Sequence, residues 1–460
     1  MASQEVDDGT VRALRGAFGG AVHLPGDVPY AAERLPWNRR IDPRPVIVAE
    51  ATGPKDVQAA IRVAREHELP FGVQSTGHGT LVPSDGGLLL RTSRMAAVEV
   101  DAERRTARAA TGALWSDVIA AAAPFGLAPL SGTPSVGVTG YTLGGGIGWL
   151  SRKYGFASDS LLRAEVVTSD GELRTVDAEE NPDLFWAMRG GSGNFAIASS
   201  LEFRLYPVGQ VYAGYSLYDI TRAREALACY RDWALEEPDE MNTAITLMSL
   251  PDAPMIPEPM RGKRFLSIRV FHEGTAEDAE QRLRPLFDAA GPALMNGFAV
   301  MDFAASGVEM TGPPPPPVLA RQQIELFREM PDGLLDILVE AAGPEGDSPV
   351  NAIEVRHWGG AMERPGPDAG PAAHRDAPFS IIATAMYGVP DMDPVIASYI
   401  HQLSAKMGPY STGGSFLNFL GDPAKADTAF TAENYARLRQ VKRTWDPDNF
   451  FHLNHNIPPA

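Results

Sequence analysis

The chain has 460 residues, more than a single core usually serves, so at least two domains are expected. With 44% hydrophobic and 21% charged residues it is ordinary globular protein, which excludes disorder, collagen and coiled coil. A net charge of −18 opposes nucleic acid or an anionic membrane as partner, since either needs a basic face, and the single cysteine excludes an intrachain disulfide.

The opening stretch MASQEVDDGTVRAL has neither a basic n-region nor an apolar h-region, and nowhere do eighteen apolar residues run together, so a cytoplasmic protein with a reduced thiol is expected. Val57, Ala60, Ile61 and Ala64 recur at helical spacing behind Pro54 and predict a helix over Asp56–Glu66. Pro70–Gln74 reads as a short buried strand that delivers the chain into a loop, STGHGT, from Ser75 to Thr80. Gly86–Arg91 and Ala97–Val100 read as strands, with a turn at Asp101–Arg104, and Trp115–Ala123 as a helix ending before Pro124-Phe125-Gly126.

Ser131 to Trp149, SGTPSVGVTGYTLGGGIGW, then places seven glycines in nineteen residues. Glycine inside a helix or strand costs about 0.5–1 kcal/mol relative to alanine, so these positions are expected outside regular elements. There they supply positive φ or bare N–H groups that bind anionic oxygens at close approach. Two such loops predict a phosphate-bearing cofactor. A Rossmann fingerprint is set aside, because Gly144 and Gly146 fit it but the third position is Trp149 and no clean strand precedes them.

The texture changes at Tyr206-Pro207-Val208-Gly209. Helices are predicted over Arg222–Glu236, Ala276–Ala290 and Leu319–Glu329, and strands over Phe265–Phe271 and Ala352–His357. GPPPPP at 312–317 reads as a stiff connector, and Tyr435–Ile457 as an amphipathic helix followed by a proline-punctuated turn. Cys229, in ALACYRDWAL, is expected as a small buried core residue. His452 and His455 have ligand spacing, but no acidic or cysteine partner completes a set, so no metal is expected. No G-x-S-x-G supplies a hydrolase nucleophile.

Five segments, in order, carry a resemblance: STGHGT; VGVTGYTLGGGIGWLSRKYGFASDSLLRAEVVTSDGEL; NPDLFWAMRGGSGNFAI; RHWGGAMER followed by HRDAPF; and NYARLRQVKRTWDPDNFFHLNHNI. Together they resemble the berberine-bridge-enzyme-like branch of the flavin oxidoreductases that share the vanillyl-alcohol-oxidase fold. The resemblance implies an α+β chain. A PCMH-type two-part FAD-binding domain would come from residues 1–208 with 426–460, and an inserted substrate domain of antiparallel sheet covered by helices from 209–425. It implies FAD bonded at its 8α carbon to His78, and to His78 alone, because Thr133 stands where many relatives carry a second, cysteinyl link. Such a bond favours the reduced flavin and raises its potential, about 30 mV being worth 1.4 kcal/mol for two electrons.

The matching motifs also imply cofactor contacts from Ser75, Thr76, Gly77 and Gly79 in the first loop. In the second they imply Val136, Val138, Gly140, Tyr141, Gly144, Gly145, Gly146 and Gly148, and farther along Asn194, Ile197, Asn454 and Asn456. Val136 matches the position beside the oxygen-reactive face, where a small side chain goes with an oxidase, and dioxygen is the implied second partner. Tyr141 is either a hydroxyl donor to the reduced ring or a packing residue.

The chain departs from the family where relatives place a catalytic tyrosine two residues before an asparagine. Here Phe416 precedes Asn418, and phenylalanine accepts no proton. Alternation in IEVRHW puts Glu354, Arg356 and Trp358 on one face and His357 on the other. Glu354 is then either a general base or half of a structural ion pair with Arg356, and Tyr410 is another possible donor. His374-Arg375 resembles a family pair of undecided role. The implied activity is oxidation of an alcohol, hemiacetal or amine-type C–H in a small organic molecule, with or without ring closure, as a secondary-metabolite tailoring step. A non-redox cyclisation or elimination on the same fold and a non-catalytic binding protein are the alternatives.

Overall fold

Proline at the first turn and an apolar stripe set the first long helix, Pro54–Glu66, which buries Val57, Ala60, Ile61 and Ala64 as expected. Its Asp56 carboxylate accepts from the Gly19 and Thr52 N–H groups at 2.6 and 2.7 Å. In the computed structural model, which describes residues 8–460 apart from 255, 313, 315 and 344–347, the stripe packs on a four-stranded sheet. Ile47–Glu50, Leu88–Arg91 and Phe71–Gln74 are parallel there, and Val22–His23 adds an antiparallel edge. Parallel strands covered on both faces read as continuous apolar runs, which is why LLLR and IVAE carry no alternation.

A five-stranded antiparallel sheet follows, in the order Val98–Asp101, Thr106–Ala110, Ala196–Arg204, Leu161–Thr168, Leu173–Asp177. The helix Trp115–Ala122 and the glycine-rich segment pack beside it around Trp115, Val138, Tyr141 and Phe203.

The inserted sheet is larger and antiparallel, in the order Met295–Asn296, Gln210–Asp219, Arg264–His272, Met241–Ser249, Ala352–His357, Phe379–Tyr387, Leu319–Phe327, with Ala299–Asp302 also on Gln210–Asp219. Its residues divide by strand alternation. Ile245, Leu247, Ile268, Val270, Ile353 and Val355 pack under the helices Ala223–Ala234, Ala276–Ala290, Asp332–Ala342 and Asp393–Met407. The intervening residues form the opposite face, and there the Arg356 guanidinium lies 4.7 Å from the centre of the Trp149 ring in the glycine-rich segment.

Three expectations are corrected. Leu319–Phe327 is a strand, paired residue for residue with Phe379–Tyr387, although LARQQIELF is rich in helix formers; tertiary pairing overrides a weak propensity. Cys229 is only half buried, its thiol reaching the Pro285 carbonyl on the neighbouring helix at 3.5 Å. Gly140 lies inside a six-residue helix, Val138–Leu143, rather than outside any element. The polyproline connector at 312–317 falls partly outside the described residues. Among the described residues no helix is long and apolar enough to cross a membrane.

The last segment returns to the first two sheets. A helix over Ala432–Trp445 starts at Thr431, whose hydroxyl accepts from the Asn434 N–H at 3.1 Å. Lys442 is fully buried and donates to the Asn194 carbonyl, the Asp446 carboxylate and the Phe451 carbonyl at 2.6, 2.7 and 2.8 Å. Asp446, equally buried, also accepts from the Phe450 and Phe451 N–H groups. Replacing only the lysine strands a buried carboxylate. Lys442→Met is therefore expected to destabilise the protein by about 3–5 kcal/mol, read from chemical denaturation.

Candidate active site

The strand Phe71–Gln74 feeds directly into the 75–80 turn, and Gly77 makes that turn possible. Its φ is +73°, and a Cβ there would stand 2.7 Å from the Pro36 Cα, so no other residue fits without movement. The Ser75 hydroxyl anchors the turn by donating to the Thr111 carbonyl at 2.9 Å. His78 and Gly79 are left accessible, with the His78 imidazole 4.7 Å from the Trp37 ring. Although His78 is exposed, the crowding of its ring by the loops costs the cation solvation and moves its pKa below the ordinary value. Among the described residues the N–H groups of Gly77 and Gly79 meet no acceptor.

The second loop touches the first. A Cβ on Gly137 would lie 3.1 Å from Thr76 Cγ2 and 3.6 Å from Ser75 Oγ. Its course is pinned by main-chain bonds: Val136 N–H to Thr133, Trp115 N–H to Val136, and Val138 N–H to Ala113, at 2.9, 3.0 and 3.0 Å. Gly145 and Gly146 turn the chain back with φ of +111° and +75°. Asn418 clamps that reversal, accepting from the Gly146 N–H at 2.8 Å and donating to the Tyr141 carbonyl at 3.1 Å. At Gly148 a Cβ would sit 2.0 Å from the Ser131 carbonyl oxygen.

These loops suit FAD on structural grounds. A Cβ at Gly79 or Gly140 would meet nothing within 4 Å, so a flat ligand can reach the main chain there. Buried Tyr141 Oη, Thr139 Oγ1 and Asn456 Oδ1 have no hydrogen-bond partner. A long cofactor with a pyrophosphate and polar ring edges uses both kinds of group.

Tyr141 packs edge-on against Trp115 at 5.4 Å, under Gly132, Gly146 and Gly148. Burial raises its pKa, with Arg356 opposing only in part, so the phenol stays protonated: it can donate but is no base at neutral pH. Asn194 is committed to protein, donating to the Gly191 and His455 carbonyls and accepting from the Ile457 N–H, each at 2.9 Å. Asn454 accepts from the Leu81 and Val82 N–H groups at 2.9 and 3.0 Å, tying the last segment to the chain just beyond His78. Ile197 packs in the core with Val167.

The inserted sheet forms the opposing wall, across a narrow gap lined by Ile147, Gly148, Trp149, Asn242, Arg356 and Met362. Glu354 takes Arg269 Nη1 on one oxygen at 2.9 Å, and Arg356 Nε and Nη2 on the other at 3.0 and 2.8 Å. Burial pushes its carboxyl up, but Arg356 and Arg269 outweigh this and hold it below the usual glutamate value. Phe416 is buried against Gly145, 5.1 Å from the Phe156 ring and 5.4 Å from Trp358, so the missing tyrosine's place is filled by an aromatic cluster.

Tyr410 is not brought to this cleft. Its hydroxyl abuts Gly333 in the helix Asp332–Ala342, which packs on the other face of the sheet, and this removes it as a catalytic candidate. His374 and Arg375 hold structure, the first on the Thr428 carbonyl at 2.8 Å and the second bidentate on Asp159 at 2.8 and 2.9 Å. Arg269 and the clamp by Asn418 were missed from sequence. A charged residue inside the apolar run FLSIRVFH was the one signal for Arg269.

Residues 45–177 match a family model described as FAD binding domain, and residues 415–458 one described as Berberine and berberine like. The chain is 30% identical to (R)-6-hydroxynicotine oxidase of Paenarthrobacter nicotinovorans, over 96% of this chain and 97% of that one. It is 26% identical to xylooligosaccharide oxidase of Thermothelomyces thermophilus, over 94% and 90%. The crystal structure of 6-hydroxy-D-nicotine oxidase from Arthrobacter nicotinovorans superposes with a TM-score of 0.84 at 26% identity, covering 96% of this chain and 98% of that chain.

Two glycine substitutions separate packing from ligand contact. Gly148→Ala forces a methyl onto the Ser131 carbonyl and is expected to lower both melting temperature and bound flavin. Gly140→Leu enters open space, so the fold is expected to survive while flavin content in the purified protein falls, measured by absorbance after gel filtration.

Proposed function

We propose a function on a settled premise: this chain belongs to the berberine-bridge-enzyme-like FAD-linked oxidoreductases and is an FAD-binding enzyme. In our reading it is an oxidase of a small organic molecule, attached to FAD through His78 alone. Held between the two glycine loops, FAD would supply a two-electron acceptor for hydride from a substrate C–H and a route for those electrons to dioxygen, with hydrogen peroxide as the product. The observation that carries the reading is the contact between two side-chain-poor loops with His78 accessible at their edge.

The lowered pKa of His78 keeps its imidazole neutral, with a lone pair available for the 8α bond. Thr133 offers no thiol for a second link, and small, half-buried Val136 leaves room for dioxygen. Tyr141 presents a permanent O–H donor, suited to negative charge developing beside it. Of the carboxylates considered, Glu354 faces the glycine-rich segment and is the candidate acceptor for the substrate's O–H or N–H proton. Two relatives carry oxidase in their names, one for hydroxynicotine and one for xylooligosaccharide, which supports oxidase activity on a small organic molecule, and for this chain we read an amine-type or hemiacetal C–H as the one oxidised. A tailoring step of cytoplasmic secondary metabolism completes the proposal.

Phe416 in place of a base favours keeping one rival, a non-redox cyclisation that leaves the flavin oxidised. Anaerobic mixing with a panel of sugars, alcohols and cyclic amines decides between them: bleaching by a substrate supports the oxidase, and turnover without bleaching supports the rival. Acid-precipitated wild-type protein is expected to stay yellow and His78→Ala to release its colour to the supernatant.

Glu354 also sets a pH limit. It must be ionised to accept a proton, and its depressed pKa keeps it so down into acid, so kcat/KM is expected to lose this group only below pH 4.5. Arg269→Gln removes one of the two opposing cations and is expected to move that limb upward. An acid limb near neutrality in the wild type would assign the base elsewhere.

A further inference from the structure

We infer that the cleft face of the inserted sheet is a carboxylate-recognition patch, so that the substrate of the oxidase proposed above carries a carboxylate. Strand register builds the patch. Ser267 pairs with Thr246 and Thr246 with Glu354 in one row; Arg269 pairs with Ala244 and Ala244 with Arg356 in the next. Alternation puts all of them on the face away from the covering helices, and Arg356 stacks over Trp149 across the gap.

Around Glu354 the charge does not cancel. Two guanidinium groups meet one carboxylate, the other cleft-facing positions of Arg264–His272, Met241–Ser249, Ala352–His357 and Phe379–Tyr387 hold no ionised residue, and Asp219, at the end of the neighbouring strand and paired with Phe265, turns its carboxylate to the Thr221 N–H and hydroxyl. Both Glu354 oxygens are already taken, whereas Arg269 donates to it through Nη1 alone. Arg269 Nε, Ser267 Oγ and Thr246 Oγ1 are buried with no hydrogen-bond partner, Ser267 and Thr246 being 0% and 2% exposed. A purely structural ion pair would neutralise one carboxylate with one cation and satisfy its neighbours. Surplus positive charge beside unpartnered donors suits a second carboxylate, brought by a ligand, with guanidinium as the matching planar donor.

Isothermal titration calorimetry of the purified holoenzyme with benzoate and its neutral counterpart benzamide tests this, alongside flavin difference spectra. Benzoate is expected to bind about tenfold more tightly than benzamide, and Arg269→Gln to lose that preference. Glu354→Gln supplies the decisive sign, because removing the resident carboxylate should tighten benzoate, whereas disruption of a merely structural network would weaken it or leave it unchanged. Equal affinities in the wild type, or weaker benzoate binding by Glu354→Gln at unchanged flavin content, overturns the patch. Flavin-free protein that still prefers benzoate defeats the oxidase reading and not the patch; flavin-loaded protein without the preference does the reverse.

Discussion

Main chain laid against main chain is the constraint on which this molecule depends. Gly77 beside Pro36 and Gly148 beside the Ser131 carbonyl leave no space for a Cβ, and Gly137 lies tight against the Thr76 and Ser75 side chains. They bring two segments, separated by the helix Pro54–Glu66's sheet and the start of the antiparallel sheet, to a common edge. His78 and Tyr141 owe their positions to that approach: one imidazole left accessible at the apex, one phenol locked beneath three glycines. Side chains then do the bracing, with Asn418 reaching from the far end of the inserted unit to hold Gly146 in its turn.

Local pattern was legible and distant pairing was not. The helices Pro54–Glu66, Ala223–Ala234 and Ala276–Ala290 follow from apolar spacing, since each buries one stripe on a sheet. Leu319–Phe327 did not, because its residues favour helix and only the neighbour Phe379–Tyr387 makes it a strand. The glycine loops and Asn454 sit in contiguous motifs and could be named from sequence. Arg269 could not, because it meets Glu354 from 85 residues away. Tyr410 failed for the complementary reason: closeness to GGSFLNFL in sequence does not put it on the same face of the sheet. The Asn194 side chain joins the last segment to the 191 turn through partners that lie far from it in sequence.

The site divides its ionisable groups between two walls. Near the loops, lost solvation favours uncharged forms: a neutral imidazole at exposed His78 and a protonated phenol at buried Tyr141. On the sheet, paired arginines preserve charge, and Glu354 stays anionic despite its burial. A substrate between them meets a neutral donor on one side and fixed ions on the other. Opposed environments of this sort let nearby groups take different proton roles at one pH.

The buried Lys442 has a consequence for the order of assembly. It and Asn454 lie beyond the whole inserted unit in the chain, yet they close contacts with residues 81, 82 and 194 made far earlier. A chain emerging from the ribosome therefore carries its early sheets unfinished while some two hundred further residues are synthesised. A nascent chain stalled inside the insertion would hold both glycine turns without the bonds of Asn454 with residues 81 and 82 and of Lys442 with Asn194.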